Sequence, residues 1–325
     1  MLKTEGSEMT EIILTGLGGS NPIGALASFG LLRMSSRIDG MKGTKLRWMV
    51  RDQDGFPIDE ATAVIDVPAE IDCDKLVHII HKSVRYNENV FGWSTNNDIK
   101  TKSTDFKQHA EKWNAKAGVD EREEIDYFSA YGTEVAIDDN GKIRRTLLHM
   151  VSGQQRFFDT VHKIYDVVEK DEEKIREAIF GPWKYEDDVH SLGWDPQTTR
   201  LHAYRNIAPT SDNSQSNAGV ILLALQALPL FSTVPYQSSI SKGAMLKTTG
   251  FRREGGNDVF FWPIWEPPIG LDALKTLLSS QELANGANGR EALERRGVVS
   301  VYKCMRLEGE KGRFSFSSPE IVWSR

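Results

Sequence analysis

The chain has 325 residues, of which 39% are hydrophobic and 26% are charged, which is typical of a globular protein rather than a disordered or fibrous one. Its formal net charge of -6 argues against a protein that coats nucleic acid non-specifically, although a local basic groove is still allowed. The two cysteines, Cys73 and Cys304, lie in no CxxC pair, so we expect free thiols in a cytoplasmic protein. We see no signal peptide, and the longest apolar run, residues 219–231, is too short to span a membrane.

The first half of the chain is predicted to mix strands and helices. A strand at 11–15 leads into the loop LGGSNPIG, and a helix follows at 25–33 with Asn21 or Ser20 as its N-cap and Pro22 in its first turn. Small residues along this helix predict that another element packs closely against it. The remaining predicted elements are strands at 45–52 and 61–67, helices at 72–84, up to 113 and at 120–131, and a hairpin with strands at 135–137 and 142–147.

The stretch HMVSGQQRFFDTV, residues 149–161, opens the second half. Ser152 precedes Gln155 by three residues, which is the spacing of a capping box and predicts a helix from 154 to about 169. We place a boundary here, between an N-terminal α/β domain (1–150) and a C-terminal α+β domain (151–325). The later predicted elements are helices at 171–180, 218–228, 271–278 and 289–296, paired strands at 245–251 and 258–263, and closing strands at 298–307 and 313–316. The predicted fold class is α+β, with a mixed α/β part followed by a helix-rich part and closing antiparallel strands.

The glycine loop at residues 16–22 is a candidate phosphate site because it lies between a strand and a helix. Its spacing is neither GxGxxG nor GxxxxGK[ST], and Pro22 lacks the amide that phosphate would need. A packing turn or a macromolecular contact is therefore favoured. A nucleotide-dependent enzyme that uses this loop is the alternative.

Catalytic and metal-binding patterns are not found elsewhere in the sequence. His78 and His81 do not have the i, i+4 spacing of helical zinc ligands, and Ser152 does not lie in a nucleophile elbow. The other histidines are isolated. We therefore expect a protein that is not an enzyme and that has no metal and no cofactor.

Basic residues cluster on predicted turns and loops. The clusters are Lys142, Arg144 and Arg145 at the hairpin, Lys247, Arg252 and Arg253 at a second glycine turn, and Lys100 and Lys102 beside Asn96 and Asn97. Residues 240–325 contain thirteen Lys and Arg against ten Asp and Glu, so this part is +3 although the whole chain is negative. Basic turns with Asn and aromatic neighbours suit contacts to phosphates and to bases, whereas solvated surface charge is the alternative for any single arginine.

Four sequence blocks occur in a specific order: LTGLGGSNPIGALASFGLLRM, HMVSGQQRFF, LGWDPQTTRLHAYRNIAPT followed by NAGVILLALQALPLF, and VFFWPIWEPPIGLDALKTLL. Over most of the chain, this series resembles the compact large subunits of type I CRISPR surveillance complexes, particularly subtype I-G (formerly I-U). The resemblance implies a non-catalytic subunit that reads a short motif beside the target, starts strand separation and steadies the displaced strand. The implied partners are crRNA, the backbone subunits, target double-stranded DNA and a recruited helicase-nuclease.

Such a subunit needs a loop that enters a DNA groove and a basic track for a strand. We expect the nucleic-acid contacts at Gly18, Gly19, Ser20, Asn21, Asn96, Asn97, Lys100, Lys102, Gln154, Gln155, Arg156, Lys247, Arg252 and Arg253. Gln155 is expected to cap its helix, whereas Gln154 and Arg156 are better placed to contact a ligand. The modest overall charge leaves much of the electrostatic attraction to partner subunits.

Overall fold

The fold is α+β, as the sequence predicts, with α/β elements in the N-terminal part and antiparallel strands in the C-terminal part. The structure is a computed structural model that describes residues 8–51, 60–116, 118, 122–152, 155–198, 215–238, 243–309 and 312–325. Within these residues, no helix has the length and apolar character needed to cross a membrane.

The helices of the described residues are labelled in chain order. They are α1 (Pro22–Arg37), α2 (Cys73–Ser83), α3 (Glu88–Phe91), α4 (Ser103–Asn114), α5 (Glu123–Tyr131), α6 (Phe157–Val168), α7 (Glu173–Phe180), α8 (Ala218–Leu225), α9 (Leu271–Leu278) and α10 (Arg290–Glu294). Asn21 caps α1, with Pro22 as its first residue, and Asp72 caps α2. Both helix starts were predicted from local sequence alone.

The strands form two larger sheets and two hairpin-like pairs. They are β1 (Met9–Gly18), β2 (Lys45–Arg51), β3 (Glu60–Pro68), β4 (Gly132–Ile137), β5 (Ile143–Arg145), β6 (Thr233–Gln237), β7 (Ala244–Thr248), β8 (Phe251–Glu254), β9 (Asn257–Trp265), β10 (Val298–Glu308), β11 (Phe314–Phe316) and β12 (Glu320–Ser324). The N-terminal sheet has the order β1-β3-β2, and the C-terminal sheet has the order β11-β10-β9-β8 with β12 also paired to β10. β4 pairs with β5, and β6 pairs with β7.

The close helix packing predicted for α1 is confirmed. A Cβ atom added to Gly30 would lie 1.8 Å from the backbone oxygen of Leu223 in α8, so the two backbones touch at this point. Helix α8 is buried over its whole length, and α1 is buried from Pro22 to Ser35. These two helices, one from each half of the chain, are therefore at the centre of the hydrophobic core.

Two tryptophans connect the N-terminal and C-terminal sheets. The Nε1 atom of Trp262 donates to the Gly19 carbonyl over 2.7 Å, and the Nε1 atom of Trp265 donates to the Leu46 carbonyl over 2.9 Å. Both tryptophans are fully buried, and one hydrophobic core contains residues from both sides of position 150. The division of the chain into domains 1–150 and 151–325 stays a prediction.

The predicted capping box at Ser152 and Gln155 is wrong. Helix α6 begins at Phe157 rather than at residue 154, and its N-cap is the extended residue Arg156, which makes no side-chain cap bond. Instead, the backbone amide of Phe158 donates to the carbonyl of Asn97 over 3.0 Å. A carbonyl from a distant loop thus satisfies one of the free amides in the first turn of α6.

The predicted pairing of residues 245–251 with 258–263 is also wrong in part. Gly250 has a φ of +79°, so the predicted strand at 245–251 is interrupted after Thr248. Strand β7 pairs with β6, and it is β8 that pairs with β9 across Gly255 and Gly256. The last strand, β12, had no counterpart among the predicted elements.

We predict that Gly30→Ala lowers the free energy of unfolding by at least about 2 kcal/mol, as measured by urea denaturation. Alanine favours a helix by up to ~1 kcal/mol over glycine, but the new methyl group collides with the Leu223 carbonyl and forces α1 and α8 apart. Gly18→Ala is the control, because no atom lies within 4 Å of its added Cβ. Equal stability of Gly30→Ala and the wild type would show that the helices are farther apart than described.

Candidate functional site

A groove of about 1000 Å³ is the candidate site with the more basic lining of two cavities among the described residues. It is lined by the β4–β5 hairpin, the β6–β7 pair, β8 and the segment after α9. The seven basic lining residues are Lys100, Arg144, Arg145, Lys247, Arg252, Arg253 and Arg306. The acidic lining residues are Asp138 and Asp258, so the lining has a formal charge of +5 in a chain whose net charge is -6.

Arg306 of β10 forms the most buried basic part of this lining, with 10% of its side chain exposed. Its Nη2 atom donates to the His149 carbonyl over 3.1 Å, and its guanidinium lies 3.4 Å from the centre of the Phe314 ring. Burial lowers the pKa of Arg306 to about 10, with Asp258 opposing this shift and Arg145 adding to it. Arg306 is therefore still cationic at neutral pH, and its buried Nε atom has no hydrogen-bond partner among the described residues.

Strand β5 supplies two further arginines. Burial lowers the pKa of Arg145, and the negative charges of Asp98 and Asp138 oppose that shift. The Nε atom of Arg144 is buried and has no hydrogen-bond partner in the described part of the chain. Arg144 and Arg306 thus both leave a buried N–H donor unused beside the same groove, which is uncommon in folded proteins.

The rim of the groove carries exposed charge and exposed apolar surface. Lys247 and Arg253 are exposed and form no ion pair with another described residue. Arg252 is held by the Ala284 carbonyl and lies 3.4 Å from the side-chain oxygen of Asn285. Tyr236, with 46% of its surface exposed, adds an accessible aromatic ring.

A hydrogen-bonded pair, the buried His149 and the partly buried Asp98, lies beneath the basic floor of the groove. The Nε2 atom of His149 is 2.6 Å from Oδ1 of Asp98, and the imidazole stacks on Phe157. Burial lowers the pKa of His149, and the contact with Asp98 only partly opposes this effect. Burial acts to raise the pKa of Asp98, but the hydrogen bond from His149, the one from the Lys100 amide and the nearby positive charge of Arg145 act against it, so that pKa is lowered.

We therefore assign an ionised Asp98 and a neutral His149 that carries its proton on Nε2. In this tautomer, Nδ1 of His149 is an acceptor, and it is buried without a hydrogen-bond partner among the described residues. The carbonyl of the same histidine accepts the bond from Arg306. The pair thus positions one of the groove's buried cations.

The predicted loop around Asn96 supports the groove more than it lines it. The side-chain amide of Asn96 donates to the Lys100 carbonyl over 2.7 Å, and that of Asn97 donates to Asp159 over 2.8 Å. Arg156 donates to the carbonyl of Asn96. Of this loop, Lys100 lines the groove, and its Nζ atom is 3.9 Å from Asp138.

The other residues predicted on this side have separate positions. Lys102 is exposed and pairs through its backbone with Lys142 of the hairpin. Gln155 has a buried Oε1 atom that lacks a hydrogen-bond partner among the described residues. Gln154 lies outside the described residues. Lys102 and Gln155 are not part of the groove lining.

The glycine loop Gly18, Gly19, Ser20 and Asn21 does not line the groove either. The Gly19 amide donates to the Ala61 carbonyl over 2.7 Å, and a Cβ atom at Gly19 would collide with Ile264 and Trp48. The Asn21 amide points at the Gly18 carbonyl over 3.4 Å, and its side chain caps α1. These contacts give the loop a packing role, and they supply no free amide at Gly19 or Asn21 to support the nucleotide alternative, which stays a prediction.

The structure thus brings together four of the predicted residues, Lys100, Lys247, Arg252 and Arg253, in one groove. Arg306 and the Asp98–His149 pair were not among the predicted site residues. A signal for Arg306 is present, because it lies two residues after the buried Cys304 and hence on the inward face of β10. An arginine at a core-facing position of a strand indicates a site.

Two further observations bear on the chemistry. In the described residues, no group of three His, Cys, Asp or Glu side chains is arranged to hold a metal ion. No protein-family model, curated protein or solved structure matches the chain.

We predict that the free energy of unfolding of the wild type decreases as the pH falls below about 6.5. The unfolded chain then protonates His149, whereas burial keeps this imidazole neutral in the folded protein until a lower pH is reached. In His149→Gln, which retains a donor towards Asp98, the decrease between pH 7 and pH 5 should be smaller. Urea denaturation at several pH values measures both slopes, and parallel curves would contradict the neutral assignment.

Proposed function

We propose that the groove binds the phosphate backbone of a nucleic acid and that the chain is a non-catalytic, nucleic-acid-binding subunit. The observation that carries the proposal is the +5 lining of one groove in an acidic chain. Its charges come from separate segments that the fold brings together. Because like charges repel, such a concentration destabilises the unliganded fold and favours a bound polyanion.

The chemistry of the lining supports phosphate as the group that is recognised. A guanidinium presents a planar fork of N–H donors that matches two phosphate oxygens, and it stays charged when it is partly buried. Arg144 and Arg306 are partly buried cations at the floor, whereas Lys247 and Arg253 at the rim are free of internal ion pairs with described residues. Fixed donors at the floor and adaptable cations at the rim suit a chain of phosphates.

The size and the aromatic part of the groove favour a strand over a compact anion. A volume of about 1000 Å³ is at the upper end of the range for small-molecule pockets. Tyr236 and Val234 expose apolar surface at the rim, and bases of an unpaired strand stack on such surfaces. A strand can therefore place its phosphates on the arginines and its bases on β6.

The resemblance to type I CRISPR large subunits suggests the complex in which the proposed subunit would act. The chain would then act in the cytoplasm within a crRNA-guided antiviral complex, read the motif beside the target and stabilise the opened duplex. Its partners would be crRNA, the backbone subunits, the target DNA and a recruited helicase-nuclease. The overall charge of -6 fits a subunit that meets nucleic acid already held by its neighbours.

We expect the double variant Lys247→Gln/Arg253→Gln to bind single-stranded DNA more weakly than the wild type at low salt. The slope of log affinity against log salt should become shallower by about 0.7 for each lost phosphate contact. Filter binding over a series of salt concentrations measures both quantities. Lys163→Gln is the matched control, since Lys163 is exposed on α6 and does not line the groove.

The same variants should be assembled with crRNA and the backbone subunits and tested on target duplex. Intact assembly with weaker target binding would support a groove that holds target DNA, whereas loss of assembly would support a groove that holds the crRNA. A double variant that matches Lys163→Gln in salt slope, assembly and target binding would overturn the proposal.

A further inference from the structure

A second cavity, of about 340 Å³, lies among the helices and shares no lining residue with the basic groove. Its buried wall contains Tyr127 of α5, Tyr165 of α6 and Gln226, which directly follows α8. Three charged residues that are exposed or partly exposed, Arg85, Glu88 and Glu123, also line it. The cavity therefore has a fixed polar wall and a charged entrance.

The buried wall is a short chain of hydrogen bonds with unused donors at one end. The Tyr127 hydroxyl donates to Oε1 of Gln226 over 3.1 Å, and Nε2 of Gln226 donates to the Tyr165 hydroxyl oxygen over 2.7 Å. In this arrangement, the proton of the Tyr165 hydroxyl and the second Nε2 hydrogen of Gln226 have no acceptor among the described residues. Buried donors of this kind are usually satisfied by a partner.

Arg33 lies behind this wall, with 3% of its side chain exposed. Its Nη1 atom donates to the Gln226 carbonyl over 3.3 Å, and its guanidinium lies 5.1 Å from the centre of the Tyr127 ring. Its Nη2 atom is 4.0 Å from Glu123 and makes no hydrogen bond with a described residue. A buried cation beside the wall favours an electron-rich oxygen on the ligand, and Glu123 supplies an acceptor close to it.

We propose that this cavity binds a nucleobase with a lactam edge, in which a ring carbonyl adjoins a ring N–H, as in guanine or hypoxanthine. The carbonyl accepts from the Tyr165 hydroxyl and the Gln226 amide, and the ring N–H donates to the Glu123 carboxylate. Tyr86, Phe91 and Tyr127 line the same space and supply aromatic surface for a planar ring. A volume of 340 Å³ is near the lower end for ligand pockets and suits one base or nucleoside.

The proposal excludes adenine on chemical grounds. The corresponding edge of adenine presents an amino donor where guanine has its carbonyl, and a ring acceptor where guanine has N–H. The donors of Tyr165 and Gln226 would then face a donor, and Glu123 would face an acceptor. The inference does not depend on the proposed function of the groove, because it uses different residues.

Isothermal titration of the full chain with guanosine, inosine and adenosine tests the inference. Guanosine and inosine should bind, with adenosine at least tenfold weaker. Tyr165→Phe removes one hydroxyl and Glu123→Gln removes the acceptor charge, and each should weaken guanosine binding about tenfold. Tyr131→Phe is the control, because that hydroxyl donates to the Val90 carbonyl and Tyr131 does not line the cavity.

Competition separates the two sources of the base. If single strands of dG displace guanosine and strands of dA do not, the cavity binds a base that is part of a nucleic acid. If strands of dG do not displace guanosine, the cavity binds the base of a free nucleoside. The double variant Lys247→Gln/Arg253→Gln should leave guanosine binding unchanged, because neither residue lines the cavity. A failure of the groove proposal can therefore be distinguished from a failure of this inference. Absence of guanosine binding, equal binding of adenosine, or wild-type affinity in both Tyr165→Phe and Glu123→Gln would overturn the inference.

Discussion

The hydrogen bond from Arg306 to the carbonyl of His149 fixes the buried end of the basic groove. A cation that is nine-tenths buried needs internal partners, and this one has a carbonyl, an aromatic face and Asp258 at 4.0 Å. The carbonyl is in turn fixed by the side chain of its own residue, which contacts Asp98 over 2.6 Å. The position of the groove floor therefore depends on Asp98, a partly buried acid that does not line the groove.

The same pair connects the groove to the start of α6. Asp98 follows Asn97, and the backbone carbonyl of Asn97 accepts a hydrogen bond from the backbone amide of Phe158. Since Phe157 stacks on His149, the helix start, the loop and the histidine pack as one unit. A substitution in this unit changes the direction of Arg306 as well as stability, so its effects on binding need a stability measurement beside them.

Predictions from sequence succeeded where the determining contacts are local. Asn21 and Pro22 define the start of α1, and in the turn that begins at Asp138 the side chain accepts from the amides of Asn140 and Lys142. The capping box failed because α6 begins only at Phe157, and an amide in its first turn, that of Phe158, finds its acceptor in the Asn97 carbonyl, which is distant in the chain. A four-residue pattern contains no information about such an acceptor.

The same distinction between local and distant contacts applies to the residues of the candidate site. Basic turns are visible in the sequence, and four of the predicted residues do line the groove. The glycine loop is equally conspicuous in the sequence, but the Gly19 carbonyl accepts a hydrogen bond from Trp262, which is 243 residues away, and so joins the two sheets. Convergence of Lys247 with Arg306 likewise depends on the strand order of the C-terminal part, which residue spacing does not encode.

Helix α5 connects the two candidate sites along the chain, although none of its residues lines the groove. Its first residue, Glu123, and Tyr127 line the smaller cavity, and the helix runs without interruption into β4, whose hairpin lines the basic groove. A ligand that moves α5 therefore acts on both sites through one element. By thermodynamic linkage, if a base in the cavity changes the affinity of the groove for phosphate by some factor, phosphate in the groove must change the affinity of the cavity for the base by the same factor.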